Sequence, residues 1–327
     1  MSRALFIISG ATATGKSDLA IALAQLITKK HQAPTEIVNF DSLLFYRELT
    51  IGTAKPTPEQ LAETPHHMID LCSIRSPLNA SAYCDIATEI IQQLHHEGKI
   101  IILVGGSAFY LRALIKGMYH SPAISLEIRQ RSNELLQNEG ITPFQSILKE
   151  HDPDSFNSLH SNDHYRIVRA VEYWWASGTP ISDERKKFTK LDPYDFSKNI
   201  HPEWNIQHFY LTLSKEWHSE IIYKRAARMI EQGLQQEVEE LLAQGFTGKE
   251  KPLQSIGYKE TLQYISNQFN NPQEYLERIA ISTRQLAKSQ RTFFNKITPK
   301  VTIEIPGGEY CPAESAAKIL ESSNLSF

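Results

Sequence analysis
Eight residues near the start of the chain, Gly10-Ala-Thr-Ala-Thr-Gly15-Lys16-Ser17, fit the pattern G-x-x-x-x-G-K-[ST]. They constrain the fold more than any other feature, because the pattern works only between a β-strand and a helix. Glycines let the chain wrap an anion, so that successive backbone N–H groups and the positive helix N-terminus face phosphate oxygens. The lysine adds charge at the terminal phosphate, and the hydroxyl after it suits Mg²⁺. The flanks meet the demand, with an apolar run over residues 4–9 before the loop and helical periodicity over 17–30 after it. Gly10, Ala11, Thr12, Ala13, Thr14, Gly15, Lys16 and Ser17 are therefore expected to hold a polyphosphate, with Ser17 on Mg²⁺.

Similar apolar runs recur at 36–40, 100–104 and 208–213, with a helical stretch at 80–97. Strand, helix and strand in this alternation imply right-handed crossovers and a mostly parallel sheet covered on both faces. Residues 121–199 break the rhythm, offering helices at 125–137, 143–149 and 163–177 and then a polar, proline-containing segment. Long helices return at 216–244 and 273–297, and a Pro306-Gly-Gly turn leads to a short last helix. The chain length of 327 residues suits two domains at roughly 150 residues each. The expected fold is a P-loop, nucleotide-kinase-like α/β core, residues 1–120 plus 200–327, with an all-helical insertion over 121–199.

No stretch approaches the roughly 18 uncharged apolar residues of a membrane span, and the first apolar run is too short for a secretory core. Three widely spaced cysteines, Cys72, Cys84 and Cys311, form no Cys-x-x-Cys. A cytoplasmic protein without a membrane partner is expected.

In open parallel sheets, ligands lie beyond the carboxyl ends of the strands. Besides the phosphate loop, Asp41-Ser42 follows one such strand and Gly105-Gly106-Ser107 another. Asp41 is suited to hold Mg²⁺ through water, to act as a general base, or to cap a turn. Ser107 suits either phosphate contact or a helix N-cap. No nucleobase-reading motif accompanies the loop, which points to a diphosphate outside a nucleotide.

The residues between these points carry a resemblance. Asp41-Ser42-Leu43-Leu44-Phe-Tyr46-Arg47, Ile51-Gly-Thr-Ala-Lys-Pro56, Pro65-His66-His67-Met-Ile-Asp70 and Val104-Gly-Gly-Ser-Ala-Phe-Tyr-Leu-Arg follow in order. So do Arg166-Ile-Val-Arg169, Gly233-Leu-Gln-Gln-Glu237-Val, Gln254-Ser-Ile-Gly257-Tyr258-Lys259-Glu260 and Thr283-Arg284-Gln-Leu-Ala-Lys288-Ser-Gln290. The set resembles the tRNA dimethylallyltransferases, which prenylate adenosine 37, over nearly the whole chain. The resemblance implies dimethylallyl diphosphate and Mg²⁺ at the phosphate loop, with Asp41, Ser107, Lys16 and Arg225 as catalytic residues. It also implies tRNA contacts from Asp41, Ser42, Leu43, Leu44, Ser107, Tyr165, Arg166, Ile167, Val168, Arg169, Gly257, Tyr258, Lys259, Arg284, Lys288 and Arg291. The expected partner is the anticodon loop at adenosines 36 and 37, in tRNAs reading codons that begin with U, and a monomer is expected. Ile221 departs from the pattern, standing where the family carries the first of two diphosphate arginines, as do Ala11, Leu44, Ser289, Phe293 and Asn295. The competing readings are a P-loop kinase or ATPase, an adenylate isopentenyltransferase, and a weakened tRNA-binding homologue.

A formal net charge of −3 argues at first against nucleic acid. Yet residues 278–296 contain Arg278, Arg284, Lys288, Arg291 and Lys296 and no acid. On a helix, Arg284, Lys288 and Arg291 form one stripe, with Ile279, Leu286, Phe293 and Ile297 expected on the buried side. Phosphate contacts depend on local, not total, charge.

Overall fold
A computed structural model of the protein describes residues 4–119, 122, 124–188, 192–307 and 310–323. The chain forms two compact units, one of the described residues through Lys116 together with those from Tyr194 on, the other of Gly117–Pro193. In the first unit, β1 (Ala4–Gly10) runs through the phosphate loop into α1 (Lys16–His31), followed by β2 (Thr35–Asn39) and a 3₁₀ turn at Ser42–Phe45. Then come α2 (Pro58–Glu63), a two-residue β3 (His66–His67), α3 (Ala80–His96), β4 (Ile100–Gly105) and α4 (Ala108–Lys116).

The second unit holds α5 (Leu126–Glu139), α6 (Thr142–His151), α7 (Pro153–Ser158), α8 (His164–Ser177) and α9 (Ile181–Phe188). Its core gathers Phe144, Leu148, Ile167, Ala170, Val171, Tyr173 and Ile181. The first unit resumes with β5 (Asn205–Thr212), α10 (Lys215–Glu231), α11 (Leu234–Ala243), α12 (Tyr258–Ile265), α13 (Pro272–Phe294), β6 (Val301–Glu304) and α14 (Pro312–Ser322).

The sheet order is β3-β2-β4-β1-β5-β6 and every pairing is parallel. β1 lies inside the sheet and is buried along its whole length, which explains its unbroken apolar sequence. One face packs Leu19, Leu23 and Ile27 of α1 and Ala316 and Ile319 of α14 against Phe6, Ile8 and Phe209. The other packs Tyr83, Ala87 and Ile91 of α3, Leu111 and Leu114 of α4 and Phe294 of α13 against Leu5, Ile7 and Leu103.

Four expectations change. The helix read over 216–244 is two, because Gly233 has φ +97°, which starts α11 in a new direction. The edge strands β3 and β6 were not anticipated, since their alternation is too short to register. The helical unit ends at Pro193 rather than at 199, and the expected start at 121 lies outside the described residues. The return segment joins the first unit because Phe196 and Trp204 enter its core and Lys116 Nζ donates to the carbonyls of Asp195 and Lys198. Finally, α13 buries Tyr275, Ile279, Ala280, Ala287, Gln290 and Phe294, while Leu286 is exposed. Small alanines, not the bulkier Leu286, face α10, because helices approach closely where side chains are short.

Candidate active site
The carboxyl ends of β1, β2 and β4 lie side by side in the sheet, and the loops leaving them form the site. Gly15, the last glycine of the phosphate loop, has φ +78° and precedes α1 as its N-cap. A Cβ there would also lie 2.6 Å from the Tyr310 ring, so glycine is required twice over. Thr14 Oγ1 and Lys16 Nζ both donate to the carbonyl of Ala11, at 2.9 and 2.7 Å. Burial lowers the Lys16 pKa to about 8, the Asp41 carboxylate opposing and Arg225 adding to that shift. Arg225, from α10, has its own pKa lowered by burial, against the pull of Asp41 and Asp18. Two cations, Lys16 and Arg225, thus share one region with the carboxylates of Asp41 and Asp18, the cations beside the loop being the groups suited to an anion. Ser17 is exposed in the first turn of α1.

Asp41 follows β2 and caps the 3₁₀ turn, Oδ1 accepting from Leu43 N at 3.2 Å. Asn39 braces it by accepting from Asp41 N at 2.8 Å and donating to its carbonyl at 3.0 Å. Oδ2 lies 3.5 Å from where a Cβ on Gly106 would sit. Ser107 Oγ accepts from Ser42 N at 3.0 Å and lies 3.2 Å from Ser42 Oγ. The serine hydroxyl is thereby turned toward the Asp41-Ser42 corner. Asp41, Ser42, Ser107 and Lys16 are brought together, as the topology demanded.

Gln290, which the sequence pattern does not mark as a site residue, links the parts. Its Oε1 accepts from Thr12 N at 2.8 Å and its Nε2 donates to the Gly106 carbonyl at 2.9 Å. The sequence signal was a polar residue at the buried spacing set by Ala287 and Phe294. His218 of α10 had no such signal, and its Nε2 donates to the Thr12 carbonyl at 2.8 Å.

The other expected residues divide. Tyr165 and Arg166 of α8 are exposed, at 63% for Tyr165, and Val168 and Arg169 are half-buried. Ile167 is 3% exposed in the core of the helical unit, so it offers no side chain to a partner. Tyr258 is likewise fully buried, its hydroxyl donating to Glu237. Glu237 also accepts from Thr50 N and Ile51 N, and the Tyr258 ring packs where a Cβ on Gly52 would be. Three of the matching motifs therefore hold one another, while Gly257 has φ +92° and Lys259 is exposed. Leu43 and Leu44 are half-buried in the turn after Asp41, Arg284 is half-buried and Lys288 exposed. Arg291 does not point outward with them, because its Nη1 donates to His218 Nδ1 at 2.7 Å. The N–H of Thr12 faces Gln290 and not the loop's interior, so Thr12 is not a backbone donor to an anion here. Ile221 packs against the apolar groups under the loop, and Lys224, one turn away on α10, pairs with Glu220 at 2.6 Å.

Among the described residues no helix is long and apolar enough to cross a membrane. The family model described as IPP transferase matches residues 44–297. The chain is 37% identical over 292 residues to tRNA dimethylallyltransferase 2 of Geotalea uraniireducens, covering 89% of each chain. It is 35% identical over 305 residues to the tRNA dimethylallyltransferase of Geobacter metallireducens, covering 93% of each. The crystal structure of a full-length tRNA isopentenylpyrophosphate transferase from Bacillus halodurans superposes with a TM-score of 0.66 at 25% identity, covering 98% of this chain and 95% of that one. A match that runs from the turn after Asp41 through the helical unit to the end of α13 admits one assignment: the chain belongs to the IPP transferase family.

Proposed function
We propose that this protein transfers a dimethylallyl group from dimethylallyl diphosphate to the N6 amine of adenosine 37 in tRNAs that read codons beginning with U. The observation that carries the reading is the placement of Asp41 and Ser107 beside a phosphate loop whose cations are Lys16 and Arg225. The adenine amine forms the new C–N bond at the allylic carbon as the C–O bond to diphosphate breaks. Negative charge grows on the leaving diphosphate, where the loop amides, Lys16 and Arg225 stand ready, so stabilisation is greatest in the transition state. The amine loses a proton, and Asp41 Oδ2 is the carboxylate oxygen positioned to take it. Ser107 orients the corner that presents Asp41, and its hydroxyl suits a diphosphate oxygen.

Mg²⁺ fits the donor set as a shared ion. Among the described residues no cluster of three or more His, Cys, Asp or Glu side chains makes a protein cage. Mg²⁺ takes few protein ligands and several from phosphate and water, so the exposed Ser17 hydroxyl would supply the protein's contribution. Bound there, the ion would neutralise diphosphate charge.

The test incubates the purified protein with Mg²⁺, labelled dimethylallyl diphosphate and an unmodified tRNA carrying adenosines 36 and 37. Label in the RNA at adenosine 37 is expected. Label confined to free adenylate would indicate an adenylate isopentenyltransferase, and phosphate release from ATP a kinase or ATPase. A protein that retains the tRNA without labelling it would be a binding homologue.

A further inference from the structure
We propose that Gln290 is a positioning residue that fixes the peptide of Thr12 and so sets the anion-binding shape of the phosphate loop, with the Arg291–His218 pair as its second support. The inference rests on the diphosphate reading of that loop. Both backbone polar groups of Thr12 are held by side chains from outside the loop. Gln290 Oε1 takes the N–H at 2.8 Å, and His218 Nε2 donates to the carbonyl at 2.8 Å.

The chemistry fixes the roles. A guanidinium has only donors, so Arg291 Nη1 at 2.7 Å requires an accepting Nδ1 on His218, and the ring proton then sits on Nε2, facing Thr12. Gln290 and Arg291 are consecutive on α13, so one helix turn fixes both peptide groups that flank Thr12, Gln290 directly and Arg291 through His218. The grip is rigid, because Gln290 is 8% exposed and α13 is seated by Ala287 and Phe294. The next residue, Ala13, has φ +62°, a conformation that an alanine holds only when its surroundings impose it. Thr12, clamped at its N–H and at the carbonyl that joins it to Ala13, supplies that constraint.

Gln290 does more than hold Thr12. Its amide donates to the Gly106 carbonyl at 2.9 Å, joining the loop after β1 to the corner that carries Ser107. A Cβ on Gly106 would lie 2.7 Å from Gln290 Nε2, so this glycine makes room for the bridge. The device therefore fixes the separation of the phosphate loop from the Asp41-Ser107 corner.

The test is calorimetric titration of the full chain with inorganic pyrophosphate and Mg²⁺, which uses neither tRNA nor a prenyl donor. If the transfer reaction itself fails but pyrophosphate binds, the titration still judges Gln290; if pyrophosphate does not bind the unaltered protein, the diphosphate reading falls. Gln290→Leu leaves two buried polar groups unpaired and is expected to weaken binding about tenfold. Amide exchange across residues 10–15 should quicken in the same variant, and KM for the diphosphate donor should rise while that for tRNA stays constant. If Gln290→Leu does not fold, Gln290→Glu keeps an acceptor for Thr12 and loses the donor to Gly106, with a loss of about fivefold expected. Pyrophosphate binding within twofold of the unaltered protein, in whichever variant folds, overturns the proposal.

Discussion

Helices α8 and α13 each carry arginines on their surface, yet their charges stand in opposite conditions. On α8, Arg166 lies 3.2 Å from Asp163 and Arg169 lies 3.2 Å from Glu172. Each cation already has a carboxylate three residues away. On α13, Arg278, Arg284, Lys288 and Arg291 follow the last acid, Glu277, and the helix ends without another. Its Arg291 turns inward to His218, which holds Thr12 of the phosphate loop. The difference teaches that the pairing of a helix's cations matters as much as their number. A helix that balances its own charges presents little net field to a phosphate backbone, whereas an unbalanced helix does. Through Arg291 and Gln290, α13 also joins its charged surface to the phosphate loop.

The largest effects should come from the loops at the carboxyl ends of β1 and β2. Asp41→Asn keeps the acceptor that caps the turn but removes the proposed base, so kcat is expected to fall by about 10²–10⁴-fold with little change in tRNA affinity. A full-rate Asp41→Asn enzyme would refute the assignment. Next, the free-enzyme Lys16 pKa is about 8. A bound diphosphate stabilises the ammonium and raises that pKa, so binding takes up a proton above this value. Pyrophosphate affinity should be flat below about pH 8 and fall by up to about tenfold per pH unit above it. Titrations of Lys16→Arg, which stays charged, should lack that decline.

A third substitution, Ile221→Arg, restores a cation under the loop at the cost of an apolar contact. Pyrophosphate binding is expected to tighten by up to about tenfold, with a lower melting temperature. Unchanged affinity would show that Lys16 and Arg225 suffice. The smallest effects compare the helices directly. Arg284→Ala with Lys288→Ala should weaken tRNA binding about fivefold and reduce the salt slope by about 1 to 2. Arg166→Ala, whose cation is already paired, should cost about twofold or less. Equal losses from the two would break the comparison.

Much of this was legible in the chain itself. Apolar runs marked β1, β2, β4 and β5, because strands buried on both faces have no polar side to hide. The positions of the phosphate loop and Asp41 were readable because their signal is local: a few residue types at fixed spacing just after a strand. The motifs around Ile51, Glu237 and Tyr258 were readable as a pattern, but their work was not. Tyr258 suggested a surface contact, and it lies buried on Gly52, bonded to Glu237. Nothing in sequence spacing distinguishes a tyrosine that meets a partner from one that meets its own chain.

The sequence by itself determined that a phosphate loop opens a parallel α/β sheet, that a helical segment interrupts it, and that one long helix is cationic despite a net charge of −3. These depend on local periodicity and composition. Only the tertiary structure decided which face α13 buries, that Arg291 serves His218, and that Gln290 reaches Thr12 across 278 positions of chain. A contact over that separation is fixed by the packing of α13 against β1 and α10. A packed interface is a property of several elements together, and no window along the sequence contains it.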